Sequence, residues 1–82
     1  MNVYEKQFVS VCPNNGQAII YQLRIETTDE MVQVEHINLA CALFSRGFHE
    51  DIANSLFNRF GGRQVLKAHH HGVDITTTRG DQ

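Results

Sequence analysis

Two short stretches carry side chains suited to nucleophilic or acid–base chemistry: SVCPNNGQ, from Ser10 to Gln17, and GFHED, from Gly47 to Asp51. In the first, Cys12 precedes a proline and an Asn-Asn-Gly reversal. Backbone N–H groups at such a reversal can face the sulfur and favour its thiolate, and a ligand can reach it there. Taken singly, a cysteine at a strand end is more simply a small hydrophobe. In the second stretch, His49, Glu50 and Asp51 open a helix. The positive end of the helix dipole accounts for the two carboxylates without any ligand. The same field disfavours a protonated imidazole, so His49 is expected neutral and able to hydrogen-bond a substrate. Glu35 also begins an apolar helix, as a first-turn carboxylate or as a ligand anchor.

The run His69-His70-His71 invites a metal reading, because alternate strand residues His69 and His71 would share a face. Two imidazoles fall short of the ligand set zinc requires, and no further His or Cys stands at a local spacing. The run is read as a polar hairpin end, with a metal shared between subunits as the lesser reading. No metal site is assigned. Cys12 and Cys41 match no zinc-knuckle spacing, and without a secretion signal both are expected as free thiols.

The elements that must hold these groups follow from periodicity. Val3 to Val11 alternates, with Val3, Val9 and Val11 on one face and Tyr4, Phe8 and Ser10 on the other, as in a strand. Pro13 ends it. A second strand runs from Ala18 to about Thr27, with Ile19, Tyr21, Leu23 and Ile25 on its apolar face. The segment TTDEMVQVEHINLACALFSRG offers Thr and Asp as N-caps and then Val34, Ile37, Ala40, Cys41 and Phe44 at helical spacing. Leu39, Ala42 and Leu43 widen that stripe, so the helix is expected to pack on two sides. A second helix runs from about His49 to Phe60, stopped by Gly61-Gly62. RQVLKAHHH and VDITTTR, parted by Gly72, read as a closing hairpin. The order is β-β-α-α-β-β.

Composition bounds the function. The 82 residues suit a single domain over 1–82. A chain this short buries only about 60% of its unfolded surface, which favours a homo-oligomer. A sheet with helices on one face leaves strand edges open, and pairing them between subunits into a ring or paired rings answers both needs. Seven Lys and Arg against nine Asp and Glu leave a formal charge of −2 with no basic run, which argues against nucleic acid. No apolar stretch is long enough for a bilayer and MNVYEKQF has no signal-like core, so no membrane and a cytoplasmic location are expected.

Taken together, SVCPNNGQ, Val34-Glu35, Leu43 to Arg46 and FHEDIAN from Phe48 to Asn54 resemble the 7-cyano-7-deazaguanine reductase family, the nitrile reductases of queuosine biosynthesis. The resemblance covers roughly Phe8 to Arg79. It implies an α+β T-fold (tunnelling-fold) protomer, an antiparallel sheet with two helices on one face, assembled edge to edge with purine or pterin ligands bound between subunits. It also implies Cys12 as the nucleophile that forms a covalent thioimide with a nitrile. Glu35, His49 and Glu50 would hold a 7-deazaguanine or related purine, with His49 a second catalytic candidate.

Two positions depart from the family pattern. The general acid stands seven residues after the nucleophile in the family, and that position here is Ile19. The NADPH-contacting lysines correspond to Ile37 and Ala40, so no NADPH cofactor is expected and ordinary reduction is disfavoured. A related archaeal branch, also without the NADPH motif, makes an amidine on tRNA, which keeps tRNA open as a partner. The resulting expectation is a reductase-like or amidine-forming protein that takes a deazaguanine nitrile at a subunit interface. The alternative is a non-catalytic purine- or pterin-binding module that has lost the acid; a purely structural ring would bind no purine.

Overall fold

In the computed structural model, residues 1–80 are described, and residues 81 and 82 lie outside them. The elements are β1 (Asn2–Val11), β2 (Ala18–Thr27), α1 (Val34–Leu43), α2 (His49–Phe60), β3 (Arg63–His70) and β4 (Val73–Arg79). The strands form one antiparallel sheet in the order β1-β2-β3-β4, and the expected β-β-α-α-β-β architecture of a T-fold protomer is present.

Parity decides which face the helices cover. On β2, Ile19, Tyr21, Leu23 and Ile25 are buried. Residues facing each other across antiparallel strands lie on one side of the sheet. The pairs Phe8 with Tyr21, Tyr21 with Ala68, and Leu66 with Thr77 therefore bring one residue set from every strand under the helices. Ile37, Ala40 and Cys41 of α1 and Ile52, Ala53 and Leu56 of α2 complete this core. The opposite face is open and carries Val9 and Ile20, each 54% exposed.

Helix α1 starts later than its capping signals suggest. Its N-cap is Gln33, with no side-chain capping bond. Thr27 is still in β2, and its hydroxyl donates to the Glu30 carbonyl at 2.7 Å, tightening the turn out of the strand. The Val32 N–H then donates to the Tyr4 hydroxyl at 3.1 Å, which holds this connection against β1. Only one side of α1 is covered within the protomer; Leu39 and Leu43 remain 61% and 70% exposed.

At the end of α2, Gly61 and Gly62 both take positive φ, 64° and 69°. A Cβ on Gly62 would stand 2.4 Å from the Glu26 carbonyl oxygen, so only glycine lets the chain pass this close to β2 on its way into β3. Gln64, buried at the start of β3, donates from Nε2 to the carbonyls of Leu56 and Gly61 at 3.1 and 2.8 Å. These bonds pin the start of β3 to the end of α2 and satisfy the carbonyl of its C-cap, Gly61.

Candidate functional site

The β1–β2 connection folds back on Cys12. Its N–H donates to the Gln17 carbonyl and its carbonyl accepts from the Gly16 N–H, both at 2.9 Å. Gly16 takes φ 70°, and the Gln17 N–H donates to Asn15 Oδ1 at 2.9 Å. The reversal thus spans Cys12 to Gln17, but its cysteine is 3% exposed and belongs to the hydrophobic core, so within one protomer the thiol is not open to a ligand as the sequence led one to expect. Cys12 is a free thiol, as is Cys41 in the core of α1. Burial raises the Cys41 pKa, and Lys6 opposes that rise only in part.

The α1–α2 link brings the second stretch to the first. The Val11 N–H donates to the Ser45 carbonyl at 2.9 Å, and the Gly47 N–H donates to the Val11 carbonyl at 3.1 Å. This short parallel bridge ties the start of α2 to the residue before Cys12. Arg46 adds a bond from its guanidinium to the Pro13 carbonyl at 3.3 Å.

Tyr21 neighbours both Cys12 and His49. Its ring stacks on Phe8 at 5.3 Å and meets the His49 ring at 5.4 Å. Burial raises the Tyr21 pKa and the neighbouring Cys12 raises it further, so the phenol keeps its proton at neutral pH. His49 Nε2 is 2.9 Å from the Thr77 hydroxyl. Burial lowers the His49 pKa; Glu50 opposes this, Arg79 and His70 reinforce it, and the Leu66 backbone favours the charged ring weakly. The ring is therefore neutral at pH 7; its buried Nδ1 makes no hydrogen bond of good geometry among the described residues, although the Leu66 backbone lies near enough to the ring to favour its charged form.

The two carboxylates go elsewhere. Glu50 pairs with Arg79 at 2.7 Å, while Arg79 Nε also donates to Asn54 Oδ1 at 3.0 Å. This draws Glu50 toward β4, the strand at the sheet edge opposite β1. Glu35 is exposed in the first turn of α1, which follows the far end of β2 from the Cys12 turn. One protomer therefore sets Cys12 and His49 each beside Tyr21, but leaves Glu35 apart and Glu50 on the β4 side.

The histidine run behaves differently from the shared-face expectation. His71 is not in a strand; with φ 52° it forms the hairpin turn with Gly72, and it contacts Asn15 of the first turn. His69 Nδ1 pairs with Asp74 at 2.7 Å. The histidine that shares parity with buried Gln64, Leu66 and Ala68 is His70, whose Nε2 is buried without a partner among the described residues. Ser10, 1% exposed, likewise has a buried Oγ with no partner. Sequence reading treated Ser10 and Tyr21 as strand residues and passed over His70. The available signal was a polar residue on a buried parity. Ile19 is 3% exposed and packed in the core opposite Ser10. Ile37 and Ala40 are buried on the inner side of α1, so neither faces solvent.

Neither a protein-family profile nor a curated protein sequence matches the chain. A solved structure does: the archaeosine synthase QueF-Like in its apo form superposes with a TM-score of 0.73, at 16% sequence identity, over 95% of this chain and 89% of that one. The chain has the fold of that enzyme. At this identity the likeness establishes a shared T-fold architecture. Among the described residues no helix is long and apolar enough to cross a membrane.

Proposed function

We propose that this chain is a divergent member of the 7-cyano-7-deazaguanine reductase-like group, taking a deazaguanine or related purine nitrile at a subunit interface. Cys12 is the nucleophile: its sulfur adds to the nitrile carbon to give a thioimide. The observation that carries this reading is the bridge from Val11 to Ser45 and Gly47, which sets the start of α2 and neutral His49 beside the cysteine turn. The fold shared with an archaeosine synthase supports the same choice. Open edges on β1 and β4 suit assembly of copies side by side, and separation of Glu35 from Cys12 fits a site completed by a neighbouring subunit.

In that site Glu50 and Glu35 accept hydrogen bonds from the guanine-like edge. Glu50 exchanges its exposed contact with Arg79 for ligand N–H groups. A base without those donors leaves the carboxylates desolvated and unpaired, which is the source of discrimination. His49 remains neutral and hydrogen-bonds the ligand through Nδ1. No NADPH is invoked.

A second reading, a purine-binding module without turnover, is favoured by Ile19, whose buried aliphatic side chain supplies no proton. Intact-protein mass after mixing with 7-cyano-7-deazaguanine separates the two, with guanine as control. A mass increase of one ligand that disappears in Cys12→Ala supports the nucleophile. Binding by calorimetry without an adduct supports the module, and absence of both reduces the likeness to fold alone.

A further inference from the structure

The end of β4 lies against the first turns of α2, and one side chain joins them. Arg79 uses all three guanidinium nitrogens: Nη2 donates to Glu50 Oε1 at 2.7 Å, Nε to Asn54 Oδ1 at 3.0 Å and Nη1 to the Thr78 carbonyl at 3.0 Å. Glu50 and Asn54 stand four apart on α2, so they project from one side of the helix and Arg79 spans both. Two residues earlier on β4, Thr77 meets His49 Nε2 at 2.9 Å, which places this cluster directly beside the His49 position. The two partners differ in access. The Arg79 side chain is 28% exposed and the Glu50 side chain 68%, so the cation is the enclosed partner and the carboxylate the open one. Glu50 can therefore turn to an arriving ligand while Arg79 keeps its bonds to Asn54 and Thr78.

The donors that Arg79 brings to Glu50 are those of a guanine edge. In a deazaguanine the ring N–H and the exocyclic amino group are donors on two nitrogens bonded to one carbon, which is the arrangement of a guanidinium. Such an edge binds a carboxylate through both of its oxygens, and Oε1 of Glu50 is already taken by Arg79. We propose that Arg79 is an internal competitor of the ligand at Glu50, held in place by Asn54, and that purine affinity is set by its displacement from the carboxylate. This rests on the reading of Glu50 as a ligand-binding carboxylate. A site that is competent only in part of the population binds more weakly by that fraction. Because the pair is exposed, the reduction is modest, about two- to fivefold on the scale measured for exposed ion pairs. A contact of that size is weak enough for a ligand to displace, and it keeps the open carboxylate paired when no ligand is bound.

The test is calorimetric affinity for 7-cyano-7-deazaguanine, measured on Cys12→Ala, which forms no adduct, and on the same chain carrying Arg79→Gln, Asn54→Ala or Glu50→Gln. Circular dichroism and urea unfolding check that each variant is folded. Arg79→Gln should tighten binding about two- to fivefold. Asn54→Ala leaves every charge in place and only loosens the competitor, so it should tighten binding by less. Raising the salt toward about 1 M, where the screening length falls to about 3 Å, should strengthen binding of this neutral ligand when Arg79 is present and change it less in Arg79→Gln. Affinity unchanged in Arg79→Gln but lost in Glu50→Gln overturns the competitor alone. Weaker binding in Arg79→Gln overturns it too, because it marks Arg79 as a ligand contact or as the group that aims Glu50. Undiminished binding in Glu50→Gln, or no binding in the Cys12→Ala parent, overturns the proposal together with the reading of Glu50.

Discussion

Replacing Ser10 by alanine should make the protein more stable. The hydroxyl is buried at 1% exposure, faces Ile19 across the strand pair, and has no hydrogen-bond partner among the described residues. Leaving a hydroxyl desolvated and unpaired costs about 1–3 kcal/mol on the scale of protein mutational data. Ser10→Ala removes that penalty, while loss of one small atom's contacts returns a few tenths of a kcal/mol at about 0.1–0.2 kcal/mol per contact. The net gain is about 1 kcal/mol or somewhat more. For a domain of this size that corresponds to a Tm increase of about 4–8 °C. The assay is thermal and urea unfolding of wild type and Ser10→Ala at matched protein concentration, because assembly makes the midpoint concentration-dependent. The urea midpoint should rise with the m-value unchanged. A midpoint lowered by Ser10→Ala would refute the reasoning, because it would show that the hydroxyl is already satisfied. A stabilised variant with weaker purine binding would be the signature of a group kept polar for a ligand at a cost in stability.

Stability should fall as the pH drops below about 7. Burial lowers the His49 pKa, so the folded state binds fewer protons than the unfolded chain, whose histidine titrates near 6.5. The contribution is fully present above the unfolded value and is lost as pH falls through it toward the folded one, with a slope of at most about 1.4 kcal/mol per pH unit. Urea midpoints from pH 8 to 5 should show a shallower slope in His49→Asn than in wild type; identical slopes would remove His49 as the cause. Gly62→Ala should destabilise by more than about 2 kcal/mol, combining positive-φ strain with a Cβ placed 2.4 Å from the Glu26 carbonyl oxygen. Gly16→Ala, also at positive φ but with open space around it, should cost less, and equal losses in urea unfolding would contradict the close-approach argument.

Much of the fold could be read from single segments. The β2 face of Ile19, Tyr21, Leu23 and Ile25 is apolar against a polar reverse, and it sets the buried side for every strand that pairs with it. The α2 stripe and its glycine stop are equally local signals. Strand β1 was ambiguous: Val3, Val9 and Val11 form the more hydrophobic parity, yet Phe8 and Ser10 are the buried residues. Pairing of Phe8 with Tyr21 decides this, because residues across an antiparallel pair share a side whatever their own chemistry. The same cause hid Ser10 as a buried polar group. The start of α1 was misplaced because Thr27 and the residues after it carry capping side chains, but Thr27 is held in β2 and uses its hydroxyl as a donor.

By itself the sequence determined the element order, the cysteine at a chain reversal and the imidazole at a helix start, since each depends on residues close together in the chain. Tertiary structure decided that the Val11 bridge brings the start of α2 to the Cys12 turn, and that Glu50 turns to Arg79. It also decided that His70, rather than His69 or His71, faces inward. That last choice depends on a hairpin turn at His71-Gly72 and on the register of β3 against β2. A one-residue shift of that register would send every β3 side chain to the other face, and the register is set by packing across the whole sheet.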